Sequence, residues 1–166
     1  TKEKHNENET IWAVQNGEIY NFKKIKNELE RKNHKFYSNT DTEVLVHLYE
    51  EYGENFVDYL DGMFACAIWD LKNKKLIIAR DRLGVKPLYY WFKNKHLIFA
   101  SEIKSILQYE EVKREINHEG LSQFVTYAYT IDGQTLLKDI NELLPGHKLT
   151  YDLLEKTIEV KKYWDL

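Results

Sequence analysis

The chain has 166 residues, a length that suits one compact domain with a core drawn from its 43% apolar residues. Its 24 basic and 27 acidic residues leave a formal net charge of −3, which argues against a dedicated nucleic-acid-binding protein. No apolar run approaches the length of a membrane span, and the polar first ten residues do not resemble a secretory signal, so we expect no membrane partner.

The first 33 residues predict one strand followed by one helix. Residues 1–9 are polar and are interpreted as a flexible or artificial start. Residues 11–14 form a short apolar strand that ends near Asn16. Residues 21–33 carry apolar side chains at helical spacing, with lysine and glutamate between them, which predicts an amphipathic helix.

A second helix is predicted after a short strand over 34–37. Thr40 and Glu43 match the capping box, in which Ser or Thr at the helix start is followed three residues later by Glu or Gln. Gly53 is the predicted end of this helix, and residues 56–60 suggest a further helical turn.

The pattern changes to short apolar runs after residue 62. Residues 63–69 lack the alternation of a half-exposed strand, which predicts a strand covered on both faces. Further strands are predicted over 76–79, 88–92 and 97–100, helices over 101–108 and 117–128, and a terminal hairpin from 149–151 and 157–160. Because short adjacent strands cannot hold parallel crossovers, we expect antiparallel pairing and an α+β or layered fold.

Three motifs have purely structural interpretations when considered alone. Asn16-Gly17 is a strong hairpin-turn signal. The charged run 80–84 is interpreted as an ionic turn in which Gly84 supplies an unusual dihedral angle, and Ser101 as the cap of the helix that follows it.

Four segments in their order and spacing carry a more specific signal. The segments are Asn16-Gly17-Glu18-Ile19-Tyr20-Asn21-Phe22, Asp41-Thr42-Glu43, the run 80–90 (RDRLGVKPLYY) and the run 99–104 (FASEIK). Together they resemble the glutaminase domain of glutamine-dependent asparagine synthetases, which are class II glutamine amidotransferases of the N-terminal-nucleophile hydrolase superfamily. The Leu-Pro-Gly-His segment at 144–147 is also similar to that family.

The resemblance implies a fold and a set of site residues. The fold would be the four-layer α-β-β-α sandwich of two stacked, mainly antiparallel sheets, incomplete at the N-terminus. A glutaminase-like domain would cover 10–140, with 141–166 forming the terminal hairpin and the junction toward a synthetase domain. Asn16 and Gly17 would form the oxyanion hole, and Glu18 and Asp41 would bind the amino group of glutamine. Alternatively, Asp41 is an acidic residue at a helix start, where the helix dipole favours negative charge, without a role in binding.

Candidate nucleophiles and metal ligands are few. Cys66 is the one cysteine, so an internal disulfide is excluded and a reducing, cytoplasmic setting is expected. Its apolar strand predicts a buried, inert thiol. Thr1 is rejected as nucleophile because it lies only fifteen residues before Asn16 in a polar segment. No two histidines share metal-ligand spacing with a third ligand, so no zinc site is expected.

The sequence also departs from the family pattern. The catalytic cysteine strand and the arginine segment that holds the glutamine carboxylate have no counterpart here, nor does the ATP loop of the synthetase domain. We therefore expect the chain to be part of a larger enzyme that hydrolyses glutamine to amidate aspartate, with ATP and Mg²⁺ used in the synthetase domain and no cofactor in this chain. Its expected partners are glutamine, that synthetase domain and a second copy in a homodimer. In isolation it would be inactive.

One alternative remains open at this point. The chain could be a non-catalytic amidotransferase-like domain that acts as a scaffold or regulator. Such a domain would have no need to retain Asn16, Gly17, Glu18 and Asp41 together, which favours the enzymatic interpretation.

Overall fold

The computed structural model describes residues 2–165 and separates into two compact units, Thr1–Lys86 with Pro145–Leu166, and Pro87–Leu144. In chain order the strands are β1 (Lys2–His5), β2 (Ile11–Ile19), β3 (Gly62–Asp70), β4 (Lys75–Arg80), β5 (Tyr89–Lys93), β6 (His96–Ala100), β7 (Ile140–Glu142), β8 (His147–Asp152) and β9 (Thr157–Lys162). The helices are α1 (Phe22–Arg31), α2 (Glu43–Tyr52), a 3₁₀ helix (Gly53–Tyr59), α3 (Ile103–Ile106) and α4 (His118–Tyr127).

The first unit is built on a six-stranded antiparallel sheet in the order β1-β2-β3-β4-β8-β9. Its centre is β3, whose residues Phe64 to Ile68 are all buried, as the lack of alternation predicted. The polypeptide leaves this sheet after β4 and returns to the edge of β4 only with β8. The unit is therefore made of two separated stretches of sequence.

Helices α1 and α2 complete the core of the first unit. Helix α1 buries Ile25 and Leu29, the positions that the helical spacing predicted. Helix α2 is buried along most of its length, from Glu43 to Tyr49. The core cluster joins these helices to side chains of β2, β3 and β4 and to Phe56 and Val57 of the 3₁₀ helix.

The second unit contains a three-stranded antiparallel sheet in the order β6-β5-β7. Its core gathers Trp91, Ile106, Val112 and Ile140. Helix α4 begins after Asn117, whose side chain accepts a hydrogen bond from the Gly120 N–H at 3.2 Å. This is the helix start that the sequence predicted, whereas β7 was not predicted.

Most of the predicted elements are confirmed, including the terminal hairpin β8–β9 and the end of α2 at Gly53. Two predictions for the N-terminal region are wrong. Lys2–His5 pairs with β2 instead of forming a flexible start, because an edge strand needs only backbone hydrogen bonds and tolerates a polar sequence. Residues 34–37 form no strand. The rejection of Thr1 as nucleophile concerns a residue outside those that the structure describes.

Three local predictions also differ from the structure. Asn16 and Gly17 lie inside β2, which pairs with β3 as far as Ile19, so they form no hairpin turn. Helix α2 is preceded by Thr42 and not capped by Thr40. The Glu43 carboxylate instead accepts the Tyr37 and Ser38 N–H groups, at 2.7 and 2.8 Å, because the preceding loop folds back over the helix start.

The start of α3 is the remaining difference. Glu102, not Ser101, occupies the N-cap position, and no side chain caps this short helix.

Candidate functional site

The end of β2 presents two polar side chains of the predicted site on one face of the strand. Asn16 and Glu18 are exposed, whereas Gln15 and Ile19 are buried on the opposite face. The strand is held in register here by β3, with Asn16 opposite Ala65 and Glu18 opposite Met63 in a pairing that is antiparallel throughout. Regular pairing thus fixes where these side chains emerge.

Gly17 stays in register opposite Phe64 but has an unusual backbone conformation. Its φ angle is +133°, a backbone conformation that other residues rarely adopt. A Cβ atom at this position would lie 2.0 Å from the Met63 carbonyl oxygen and 2.9 Å from Phe64 Cα. Both the dihedral angle and the close approach of β3 therefore require glycine.

Asp41 joins the loop before α2 to the same stretch of β2. Its Oδ2 atom accepts hydrogen bonds from Gln15 Nε2 at 2.7 Å and from the Ile19 N–H at 3.1 Å. These two donors lie on either side of the segment that carries Asn16, Gly17 and Glu18. The two hydrogen bonds to the carboxylate therefore hold that segment in position.

Gln15 was not recognised in the sequence. It is 7% exposed, and its Nε2 group is one of the two donors to Asp41. The signal was nevertheless present, because Ile11, Ala13 and Gln15 share one face of β2 and the first two are apolar core residues. A polar residue at the next core-facing position indicates a buried hydrogen-bonding role.

An open cleft of about 530 Å³ lies beside this arrangement. Its lining comprises Glu18, Ile19, Tyr20, Phe22, Asn39, Thr40 and Asp41. Glu18 and Asp41 thus share one cleft, whereas Asn16 and Gly17 lie next to it along the strand. The lining residues include two carboxylates and no basic side chain, a composition that suits an amino cation.

The charged run after β4 has the structural role that the sequence indicated. The Asp81 carboxylate accepts hydrogen bonds from the backbone N–H groups of Leu83, Val85 and Lys86 at 2.9 to 3.1 Å. The Arg80 guanidinium donates to the Lys86 and Gly84 carbonyl oxygens, each at 2.8 Å, and Gly84 has a φ of +67°.

Cys66 is buried in β3, where it lies opposite Gln15. Burial raises the pKa of its thiol to about 12. A thiol in this state holds little thiolate at neutral pH and is a poor nucleophile. This agrees with the inert role expected from its apolar neighbours.

Among residues 2–165, no helix combines the length and the apolar character that crossing a bilayer requires.

Comparison with known sequences identifies relatives along almost the whole chain. A family model described as a glutamine amidotransferase domain matches residues 4–164. Asparagine synthetase [glutamine-hydrolyzing] 3 of Bacillus subtilis is 39% identical over 159 residues, which cover 95% of this chain and 26% of that protein. Amidase chry2 of Gibberella zeae is 36% identical over 166 residues, covering 98% of this chain and 23% of that protein. The chain thus spans about a quarter of the length of these relatives.

Solved structures with the same fold include the glutamine phosphoribosylpyrophosphate amidotransferase of B. subtilis. It matches with a TM-score of 0.66 at 21% identity, over 99% of this chain and 32% of that one. A class II glutamine aminotransferase domain protein from Silicibacter pomeroyi matches with a TM-score of 0.54 at 16% identity, over 93% of this chain and 67% of that one. The predicted fold class is confirmed, and the chain belongs to the family of glutamine amidotransferase domains.

Proposed function

We propose that the chain is the glutaminase part of a glutamine-hydrolysing asparagine synthetase, in which it positions glutamine and stabilises the oxyanion formed during amide hydrolysis. The observation that carries the proposal is the Asp41 carboxylate, which bonds to residues on both sides of Asn16-Gly17-Glu18. A substrate held by Glu18 and Asp41 would lie directly beside the residues proposed as oxyanion donors.

The amino end of glutamine is assigned to the acidic cleft. Glu18 and Asp41 line the same opening, and an ammonium group between two carboxylates gains charge-assisted hydrogen bonds. The Asp41 Oδ2 atom already accepts from Gln15 and Ile19, which fixes the plane of the carboxylate. Such a fixed acceptor orients a substrate with little loss of side-chain freedom.

The amide end of glutamine is assigned to Asn16 and Gly17. Attack on the amide carbon moves negative charge onto its oxygen, and preorganised donors there lower the barrier by about 3 kcal/mol each. The Asn16 side-chain amide and the Gly17 N–H are donors of the required kind.

The rest of the reaction belongs to the parent enzyme. The ammonia released would amidate aspartate in a synthetase domain that uses ATP and Mg²⁺. This part of the proposal rests on the names of the relatives, which are glutamine-hydrolysing asparagine synthetases. The inactivity of the isolated chain and its cytoplasmic setting belong to the same proposal.

The test is a titration of the ¹⁵N-labelled chain with L-glutamine, followed by NMR. We expect the amide signals of Gly17 and Ile19 to shift with a dissociation constant on the order of 1–10 mM. Asp41→Asn keeps an oxygen acceptor for Gln15 but removes the charge, so it should weaken binding severalfold. Asp58→Asn, an exposed substitution outside the cleft lining, is the matched control.

The amino group of the substrate supplies a further control. Glutaramate, which keeps the amide and the carboxylate but lacks the α-amino group, should shift the same signals much less, because Glu18 and Asp41 then have no cation to bind. Absence of any specific shift with L-glutamine would contradict the proposal and favour the scaffold or regulatory alternative.

A further inference from the structure

A cluster of imidazole and carboxylate groups lies in the first unit, and none of its members lines the glutamine cleft. His34 follows α1, and His47 and Glu50 lie three residues apart on α2. Among the described residues 2–165, these three form the one group of His, Cys, Asp and Glu side chains whose ligand atoms lie within 4.8 Å of one another. Sequence spacing did not suggest this group, because the chain brings His34 to it from outside α2.

The three side chains converge on a single carboxylate oxygen. Glu50 Oε2 is 2.9 Å from His47 Nδ1 and 3.4 Å from His34 Nδ1. In a tetrahedral zinc site with bonds of 2.0–2.1 Å, neighbouring ligand atoms are about 3.3 Å apart. Two of the required spacings are therefore close to those of a metal site, and the ligand atoms of all three side chains lie within 4.8 Å of one another.

The two rings have the same arrangement of neighbouring carboxylates. His34 Nε2 is 3.0 Å from Glu51 Oε1; in the tautomer with the proton on Nε2, this nitrogen donates to Glu51 and Nδ1 presents a lone pair toward Glu50. His47 Nε2 faces Glu43 Oε1 at 3.8 Å. Each ring thus has Nδ1 toward Glu50 and Nε2 toward a second carboxylate, as metal-binding histidines do.

The buried atom His47 Nε2 supplies an independent indication. His47 is fully buried, and Nε2 has no hydrogen-bond partner within residues 2–165. If Nδ1 held the ring's one proton, Nε2 would present a lone pair to the buried Glu43 carboxylate, which is unfavourable. A cation at Nδ1 moves the proton to Nε2, where the negative charge of Glu43 stabilises it.

Glu50 is itself held in place for this role. Asn6 Nδ2 donates to Glu50 Oε1 at 2.8 Å, which leaves Oε2 directed at the two rings. Asn6 is 2% exposed and accepts hydrogen bonds from the backbone N–H groups of Thr10 and Ile11 at 2.8 and 3.1 Å.

We propose that His34, His47 and Glu50 bind a divalent transition-metal ion through the two Nδ1 atoms and Glu50 Oε2. Two imidazoles and one carboxylate suit zinc best, with a water molecule as the fourth ligand. The ion would link the loop after β1, through Asn6, to the α1–α2 connection and to α2. It has no part in the glutamine site, so the two proposals can fail separately.

The test is calorimetric titration of the chelator-treated chain with Zn²⁺, repeated with Co²⁺ to follow the visible absorption of a tetrahedral site. We expect one zinc ion per chain and a higher melting temperature with zinc. His34→Gln should abolish this site, and it is tolerable because the His34 side chain reaches solvent. Glu51→Gln should weaken zinc binding by about 10- to 100-fold, as loss of an outer carboxylate does.

The matched control is His96→Gln in the second unit. His96 Nδ1 lies 3.7 Å from Glu111 Oε1, an imidazole–carboxylate pair without a second histidine. This variant should bind zinc as tightly as the parent chain. Equal loss in His34→Gln and His96→Gln, or no stoichiometric binding by the parent chain, would overturn the proposal and leave an ion-pair cluster. Glu50→Gln tests the same site if His34→Gln does not fold.

Discussion

Replacing Gly17 by alanine should destabilise the first unit far more than an ordinary glycine substitution in a strand. The φ of +133° alone costs a residue with a side chain about 1–3 kcal/mol. The new methyl group would lie 2.0 Å from the Met63 carbonyl oxygen, which is backbone of the central strand and cannot rotate away. Overpacking of this kind costs a further 1–3 kcal/mol or so. The expected loss in the free energy of unfolding is therefore about 4 kcal/mol.

The assay is urea unfolding of Gly17→Ala, with Gly53→Ala as the matched control. Gly53 also has a positive φ, +56°, but a Cβ atom there would meet nothing within 4 Å. The control should thus lose only the backbone contribution of about 1–3 kcal/mol, since its φ of 56° and ψ of −138° are a combination that side-chain-bearing residues rarely adopt. The slope of the free energy against urea should stay the same in both variants. Equal losses in the two variants would refute the argument from close packing against β3.

Two further predictions concern buried ionisable groups. Burial opposes the charge on Asp70, but hydrogen bonds from Asn73 and Tyr49 lower the pKa of its carboxyl below 3.8. Because the carboxyl has a lower pKa in the folded chain than in the unfolded chain, the ionised Asp70 stabilises the fold at neutral pH. This stabilisation is lost as the pH falls through the folded pKa. Between about pH 5 and pH 2, the free energy of unfolding should therefore fall less steeply in Asp70→Asn than in the parent chain. Cys66, with a pKa raised to about 12, should resist a thiol reagent at pH 8 in the native chain and react fully in denaturant; rapid native labelling would contradict its burial.

The sequence predicted the elements whose signal is local. The run of buried side chains in β3 and the helical spacing of Ile25 and Leu29 are properties of neighbouring residues, and both predictions are confirmed. The Asn117 cap is equally local. Strand β1 lacks such a signal. Its residues are polar, and they form a strand only because their backbone pairs with that of β2.

The chemistry of the site depends on contacts that sequence spacing does not show. The motif identified Asp41, but its bonds to Gln15 and Ile19 depend on the path of the loop before α2. The capping-box prediction for Glu43 failed for the same reason, because the loop over Tyr37 and Ser38 supplies nearer donors. In each case the hydrogen-bond partner is supplied by a loop that folds back over the residue, and the local sequence pattern does not show this.

The return of the chain to β4 has a consequence for how the protein is made. Strand β4 pairs with β3 and β8, and its side chains Ile77 and Ile78 are fully buried in the finished structure. At roughly 5–20 residues per second, a ribosome needs several seconds to make the intervening second unit before β8 exists. Throughout that interval the nascent chain carries an apolar strand with an open edge, the kind of surface that chaperones bind and that nucleates aggregation. The sheet that carries the proposed glutamine site is thus completed only after β8 has left the ribosome.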